Sequence, residues 1–364
     1  MDQGSYTYLQ LADKYDQFKA PGFEVKVDGK TLPPAKYHIP SVEVEITAGG
    51  AAGGCSFTLE GQYDYKNSKW VNDADKLIKP GAKITVLGGY QERKELFYGY
   101  VDDYALEFSS DGTPCIKVNG LDGLGYLMNM CEPIYAGEKK PKEIVQSILQ
   151  KSQSAGFAKS VTVGQLNGFE TPIVKEDSDD WEFLQEMAQR YGAILFAIDG
   201  ELIFDNVITK TSPILTLTIG RSVKSFSKRV SLAHQVGKVE VMGRDINQKA
   251  VTGTADKVTA GGEGKTAAEW VSGLEKAILR ERSEYVRTQK ECETLAQHRL
   301  NSIALEFVSG EGECIGIPEL IPGRYIKIDG GDNQTNGTYF LTKVRHRISI
   351  NAYTTSFEVK GART

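Results

Sequence analysis

Apolar and polar residues alternate with a period of two through much of this chain, the mark of strands with one face buried. Phe23, Val25 and Val27 alternate before Asp28-Gly29, a hairpin turn signal; Val42, Val44 and Ile46 alternate before the glycine-rich stretch 49–54; Cys55, Phe57 and Leu59 alternate again. Short strands in this number predict a small barrel or sandwich between about Phe23 and Met130. Ahead of them, Tyr6 to Phe18 forms a short amphipathic segment, expected to be a helical arm packed on its own domain, with docking on a neighbour as the alternative.

From about Glu132 the period changes. Pro141 opens a helical stripe through Ile144, Val145, Ile148 and Leu149. A second helix begins at Asp179, with Glu182 completing a capping pattern and Gly192 as its stop. A hairpin then turns at Asp199-Gly200, which makes this middle stretch a small α/β module. Alternation returns at 215–219 and 236–241. A polar, glycine-rich loop spans 255–265. Helices are predicted over Trp270, Leu274, Ala277 and Ile278, and over Lys290 to Ala304.

One ten-residue device occurs twice. Pro80-Gly81 through Gly88-Gly89 lines up with Pro322-Gly323 through Gly330-Gly331, each a Pro-Gly turn, an alternating strand and a Gly-Gly turn. An aromatic strand follows each copy, Leu96 to Val101 and Thr338 to Leu341. Two related β modules in one polypeptide are expected.

At 364 residues the chain is long enough for two or three domains. Its formal net charge of −5 argues against a nucleic-acid binder held by a basic surface, though not against a passage through which nucleic acid slides. The five cysteines form no CxxC pair and read as reduced core residues of a protein made in a cytosol. Met1-Asp2-Gln3-Gly4 does not read as the start of a signal peptide, and no apolar run approaches the roughly 18 residues of a membrane span.

Chemistry is hard to find. Gly261 to Thr266 resembles the end of a phosphate-binding loop, but Thr259 stands where the first glycine is needed. Gly123-Leu124-Gly125 lacks the third glycine of a dinucleotide fingerprint. His38, His234, His298 and His346 belong to no HExxH pair, and His346 reads as a structural histidine. Cys55 with a distant histidine would suit a thiol hydrolase, yet it opens an alternating strand and reads as a core thiol. Asp102-Asp103 and Asp179-Asp180 are adjacent rather than opposed, and the latter pair suits a helix N-terminus. No catalytic, cofactor or metal residue is assigned, and no cofactor is expected.

Several stretches, taken together and in order, resemble the phage late control protein D family, the hubs of contractile-tail baseplates, and the N-terminal hub part of VgrG spikes. They are Lys79-Pro80-Gly81 to Tyr90 with Leu96 to Val101, Gly112-Thr113-Pro114 to Asp122 with Leu127-Met128, Ser178 to Leu184 with Ala188 and Tyr191-Gly192, and Gly316-Ile317-Pro318 to Pro322-Gly323 with Gly337-Thr338-Tyr339, Val344-Arg345-His346 and Tyr353 to Phe357. The resemblance implies an α+β, β-rich fold: two related tube-like β-barrel domains, an inserted α/β module and a second, mostly helical insertion. The expected division is an N-terminal arm over 1–20, a first barrel over 21–130 and an α/β module over 131–226. A second barrel is split over 227–254 and 304–364, around the insertion at 255–303.

It also implies a homotrimeric, pseudo-sixfold ring that joins a tail tube to a threefold central spike, with no enzymatic role. Because the sequence ends at Thr364 without an OB-fold or β-helical repeat, a separate spike protein is expected, beside the tail tube protein and other baseplate proteins. No sequence-specific nucleic-acid binding and no membrane insertion is expected. The expected location is the bacterial host cytoplasm during assembly and then the baseplate, with a lumen richer in Asp and Glu than in Lys and Arg. The rival readings are a cell-wall hydrolase built on Cys55 or a carboxylate pair, and a carbohydrate-binding module using Tyr63, Tyr65 and Trp70.

Overall fold

The computed structural model describes residues 5–108, 112–136, 140–169, 173–175 and 178–364. The start of the expected arm, Met1 to Gly4, lies outside them. The arm is a helix, α1 (Tyr8–Lys14), with a Thr7–Gln10 capping box. It does not pack on the first module alone. Tyr6 bridges to Leu215 of the second module, while the Tyr15 ring packs tilted against Tyr90 and its hydroxyl donates to Glu319 Oε1 at 2.7 Å.

The first module runs β1 (Gly22–Val27), β2 (Lys30–Leu32), a helical turn α2 (Pro34–Tyr37), β3 (Ser41–Thr47) and β4 (Gly54–Glu60). A small hairpin follows, β5 (Tyr63–Asp64) with β6 (Lys69–Trp70), then α3 (Ala74–Leu77), β7 (Lys83–Gly89), β8 (Arg93–Glu107), β9 (Cys115–Asp122) and α4 (Gly123–Leu127). The α/β module contributes β10 (Ile134–Ala136), α5 (Pro141–Ser154), β11 (Ser160–Val163), β12 (Ile173–Lys175), α6 (Asp180–Tyr191), β13 (Ile194–Ile198) and β14 (Glu201–Asp205). The rest is β15 (Pro213–Thr218), β16 (Val223–Val230), β17 (Lys238–Arg244), β18 (Ala250–Ala255), α7 (Ala267–Trp270), β19 (Ile278–Arg282), α8 (Gln289–Leu305), β20 (Val308–Ile315), β21 (Tyr325–Asp329), β22 (Gly337–Ser349) and β23 (Tyr353–Gly361).

The chain is β-rich and built on one thirteen-stranded sheet, ordered β16-β20-β23-β22-β3-β4-β9-β8-β7-β1-β2, with β21 added to β22 and β15 to β21. Among the described residues no ladder closes either module into a barrel. The duplication is written in the strand order. Take β1, β3, β4, β7, β8, β9 and β15, β16, β20, β21, β22, β23 in chain order; laterally, both sets lie first, fourth, fifth, sixth, third, second.

The repeated device matches down to single hydrogen bonds. Gly81 N–H donates to the Val101 carbonyl and Val101 N–H to Ala82, each at 2.8 Å. Gly323 donates to Leu341 at 2.9 Å and Leu341 to Arg324 at 2.8 Å. Both glycines sit in the left-handed region, at φ 81° and 77°, which is why the turn keeps glycine. Both hairpins then bulge at the matching place, between Val101 and Asp103 in β8 and between Leu341 and Lys343 in β22. The modules differ at one edge: β1 runs antiparallel to β7, whereas β15 runs parallel to β21. The Gly-Gly pairs also differ, since Gly88 and Gly89 stay in the ladder and only Gly330 turns.

Three expectations need correcting. β15 and β16 belong to the main sheet, not to the α/β module, and β17 and β18 leave it to form a separate sheet with β19. The second module therefore takes up residues 213–230, and 238–255 belong with the insertion. The helix expected over Trp270 to Ile278 is instead the end of α7, a 3-10 turn at Leu274–Lys276 and the start of β19. Its apolar residues serve no helical face; Trp270 and Ile278 are exposed. The predicted helix over Lys290–Ala304 is present as α8. The α/β module and the insertion share a second core, in which Leu184 and Met187 of α6 join Leu295 of α8 and Val239 of β17.

Candidate assembly interface

The seam between the two modules is a strand pairing. In β3, Val42, Val44 and Ile46 turn inward and are buried, leaving Glu43 and Glu45 on the solvent face. In β22, Val344, His346 and Ile348 are buried and Lys343, Arg345 and Arg347 face outward. The strands pair antiparallel from Lys343↔Thr47 to Ser349↔Ser41. The outward row thus sets two glutamates against three cations. Arg345 Nε donates to Glu45 Oε2 at 2.8 Å, Arg347 Nε to Glu43 Oε2 at 3.0 Å, and Lys343 Nζ lies 2.8 Å from Glu45 Oε1.

Partial burial works to raise the Glu45 carboxyl, but the hydrogen bonds from Lys343 and Arg345 outweigh it and hold the group below its ordinary range. Such half-exposed pairs add at most about 1 kcal/mol each, so they set register more than strength. The strength lies in the ladder and the inward row. There His346 Nδ1 is 2.9 Å from the Tyr353 hydroxyl and 3.1 Å from Thr355 Oγ1, and burial pushes the imidazole down to about 3.

A shallow polar groove flanks the seam on each side. One, of about 440 Å³, has Glu311, Glu313, Arg345 and Glu358 among its walls. Its counterpart, of about 460 Å³, is lined by Glu43, Ser56, Thr58, Lys117 and Arg347 among others. Their near-equal size follows from the repeated strand order. The result is a broad solvent-facing sheet surface of mixed charge, suited to contact rather than to bond chemistry.

The residues considered for chemistry do not converge. Cys55 and Cys314 are fully buried and burial raises both thiols far above their ordinary value, so neither supplies a thiolate nucleophile. Asp179 caps α6 by accepting from Glu182 N–H at 2.6 Å. Asp180 is buried 3.1 Å from Lys175 and 2.7 Å from Lys151, pinning the helix start to β12 and α5. Asp103 accepts from Asn119, and Asp102 stands exposed beside it on β8.

His298 Nδ1 lies 3.0 Å from the Arg190 carbonyl; His38 and His234 occupy left-handed backbone positions. The loop from Gly261 to Thr266 is pinned against the last residues by paired backbone bonds between Lys265 and Thr364, and an added Cβ on Gly262 would meet Thr338. Gly123 and Gly125 lie in α4, packed on Ser152 and Leu121. Tyr63, Tyr65 and Trp70 do cluster, with Phe108, at ring distances of 4.9 to 5.5 Å. Tyr63 is edge-on to Tyr65, Trp70 and Phe108, so the four rings form a packed knot rather than a flat sugar platform.

Among the described residues no group of His, Cys, Asp and Glu gathers to hold a metal, and no helix is long and apolar enough to cross a membrane. The seam residues Glu43, Glu45, Lys343, Arg345 and Arg347 were not foreseen from sequence. Their signal is the opposite sign of two outward rows, Glu-x-Glu and Lys-x-Arg-x-Arg.

A family model described as the Alg8 N-terminal domain matches residues 18–350. The chain belongs to this family. No curated protein matches it. Solved structures resemble it in fold. A tail protein from Neisseria meningitidis MC58 superposes with a TM-score of 0.68 at 13% identity, over 94% of this chain and 96% of that one. The 43 kDa tail protein of prophage MuSo2 from Shewanella oneidensis gives 0.67 at 14%, over 93% and 98%. The E. coli c3393 protein, described as a type VI secretion component structurally similar to the T4 tail proteins gp27 and gp5, gives 0.56 at 13%, over 93% and 76%. The fold of the chain is therefore that of phage tail proteins.

Proposed function

We propose that this chain is a structural hub: a homotrimer whose six β modules form a ring, threefold by chain and nearly sixfold in shape. The ring joins a tail tube to the central spike of a contractile phage tail or a related injection particle. The observation that carries this is the repeated strand order, first-fourth-fifth-sixth-third-second, with matching bulges and turns in two modules of one chain. A chain holding two like modules converts three copies into six similar units, which is what matching a sixfold tube to a threefold spike requires. The resemblance to late control protein D and VgrG hubs and the fold likeness to tail proteins support the same reading.

The separate spike, the tube protein and other baseplate proteins are the partners in this account. The hub assembles in the host cytoplasm and ends in the baseplate. The polar face that runs across the seam suits the channel wall, and its mixture of Glu43, Glu45 and Glu311 with Lys117, Arg345 and Arg347 avoids a strongly basic lining that would hold DNA. Negative-stain images of the purified assembly, alone and with its spike and tube proteins, test the reading. Rings with six lobes that seat a spike on one face and a tube on the other are expected; closed twofold particles that bind neither overturn it.

A further inference from the structure

The insertion ends in an uncovered strand edge. Its sheet runs β18-β17-β19, with α8 packed on one face. β17 and β19 are parallel, paired from Lys238↔Ile278 to Met242↔Arg282. Lys238 N–H donates to the Ala277 carbonyl and Ser283 N–H to that of Met242. A strand turns alternate residues to opposite sides, so Ala277, Leu279, Glu281 and Ser283 bond to β17. The N–H and carbonyl groups of Ile278, Arg280 and Arg282 point the other way, where no strand pairs with β19 among the described residues. Such an edge is a pairing template.

Beside it lies a groove of about 360 Å³. One wall is the end of β19 and the turn to Tyr285, the other is Glu186 and Gln189 of α6, and Leu295 and Arg299 of α8 lie between them. Arg299 ties the two walls together, with Nη1 3.3 Å from Gln189 Oε1 and Nη2 3.1 Å from Glu281 Oε1. An open strand edge beside a groove is where an extended peptide can add to a sheet.

The side chains define what such a peptide carries. Val239 and Val241 are fully buried on the α8 face. Leu279 continues their row but is 37% exposed, so the row is left open at its edge. On the opposite face β17 and β19 place Lys238, Arg244, Arg280 and Arg282. The one acid these strands set among them is Glu240, which Arg280 Nε meets at 3.1 Å. Arg282 makes no ion pair among the described residues. Two β19 edges brought together would set arginines against arginines, so a second copy is the wrong occupant.

We infer that this edge takes up an extended segment of a partner protein in which acidic residues alternate with small apolar ones. The segment's backbone pairs with Ile278, Arg280 and Arg282. Its carboxylates lie beside Arg280 and Arg282, and its apolar residues cover Leu279. The site is separate from the seam and does not depend on the ring.

The purified full chain and two labelled synthetic octapeptides test it, one alternating glutamate with valine and one alternating lysine with valine. Fluorescence anisotropy is expected to show saturable binding of the glutamate peptide, at least tenfold tighter than of the lysine peptide, and Arg282→Glu is expected to lose that preference. Hydrogen exchange is expected to slow at the amides of Ile278, Arg280 and Arg282 when the glutamate peptide binds, and little at Leu279 and Glu281, which the ladder already protects. Arg280→Pro removes an outward N–H and spares the bonds to β17, so it is expected to bind at least tenfold more weakly than Arg280→Ala with unchanged circular dichroism. Equal binding by these two variants, protection confined to other parts of the chain, or no binding of either peptide at millimolar concentration overturns the assignment.

Discussion

The two β modules share strand order, register and bulge, yet they differ at their edges and in their glycines. The first inserts β1 antiparallel beside the repeated hairpin and closes β3 to β4 with a short glycine-rich turn. The second runs β15 parallel and places β17, β18, β19 and α8 between β16 and β20. The difference teaches where a duplicated unit is free to change. Ladder positions are tied to both neighbours and persist, while edges and connections diverge toward separate contacts.

The sharpest divergence inside the hairpin is Gly99, whose counterpart is Tyr339. A Cβ on Gly99 would sit 2.1 Å from the Leu121 carbonyl oxygen and 2.8 Å from the Phe97 ring. Tyr339, by contrast, is buried and donates to the Thr335 carbonyl at 2.6 Å. Gly99→Ala is expected to cost about 3 kcal/mol in urea unfolding; a neutral result would mean that the hairpins tolerate the same side chains.

The paired turn glycines come next. Gly81→Ala faces open space and is strained only by a Cβ in the left-handed region, about 1 kcal/mol. Gly323→Ala adds a contact 2.7 Å from the Phe196 ring and is expected to cost about twice that. Equal melting shifts would contradict the asymmetry.

The exchange of His346 for its counterpart residue, Leu106, has an effect that depends on pH. Folding holds the imidazole neutral down to about 3, whereas the unfolded chain takes up a proton near 6.5. Between those values the unfolded state binds more protons, so this residue makes stability fall as pH is lowered, by at most about 1.4 kcal/mol per pH unit. His346→Leu is expected to flatten that acid limb relative to wild type, at the cost near pH 7 of its contacts with Tyr353 and Thr355. The comparison with wild type matters because Asp122, raised by burial to about 7, contributes the opposite slope as pH falls from 7 to about 4.

Much of the fold was legible because its determinants are local. Pro-Gly turns need a left-handed glycine, alternation marks half-buried strands, and Asp179 with Gly192 brackets α6; each acts within a few residues. What was misread depends on distant partners. The alternation of β17 does not say which sheet it joins, and it joins one fed by β19, some forty residues on. Trp270, Leu274 and Ile278 have helical spacing, but only Leu274 packs against the core while Trp270 and Ile278 stay exposed, and the chain turns instead. Asp180 was placed at a helix start, but its ion partner Lys151 comes from another helix and could not be read from sequence. The seam was hidden for the same reason. Glu45 and Arg345 are far apart in sequence, and only the fold brings them to 2.8 Å.

The native mass of the purified chain, by size exclusion with light scattering, tests the hub most directly. The account predicts three times the 40.0 kDa chain. A stable dimer would contradict it, because closed twofold pairs cannot build a threefold ring.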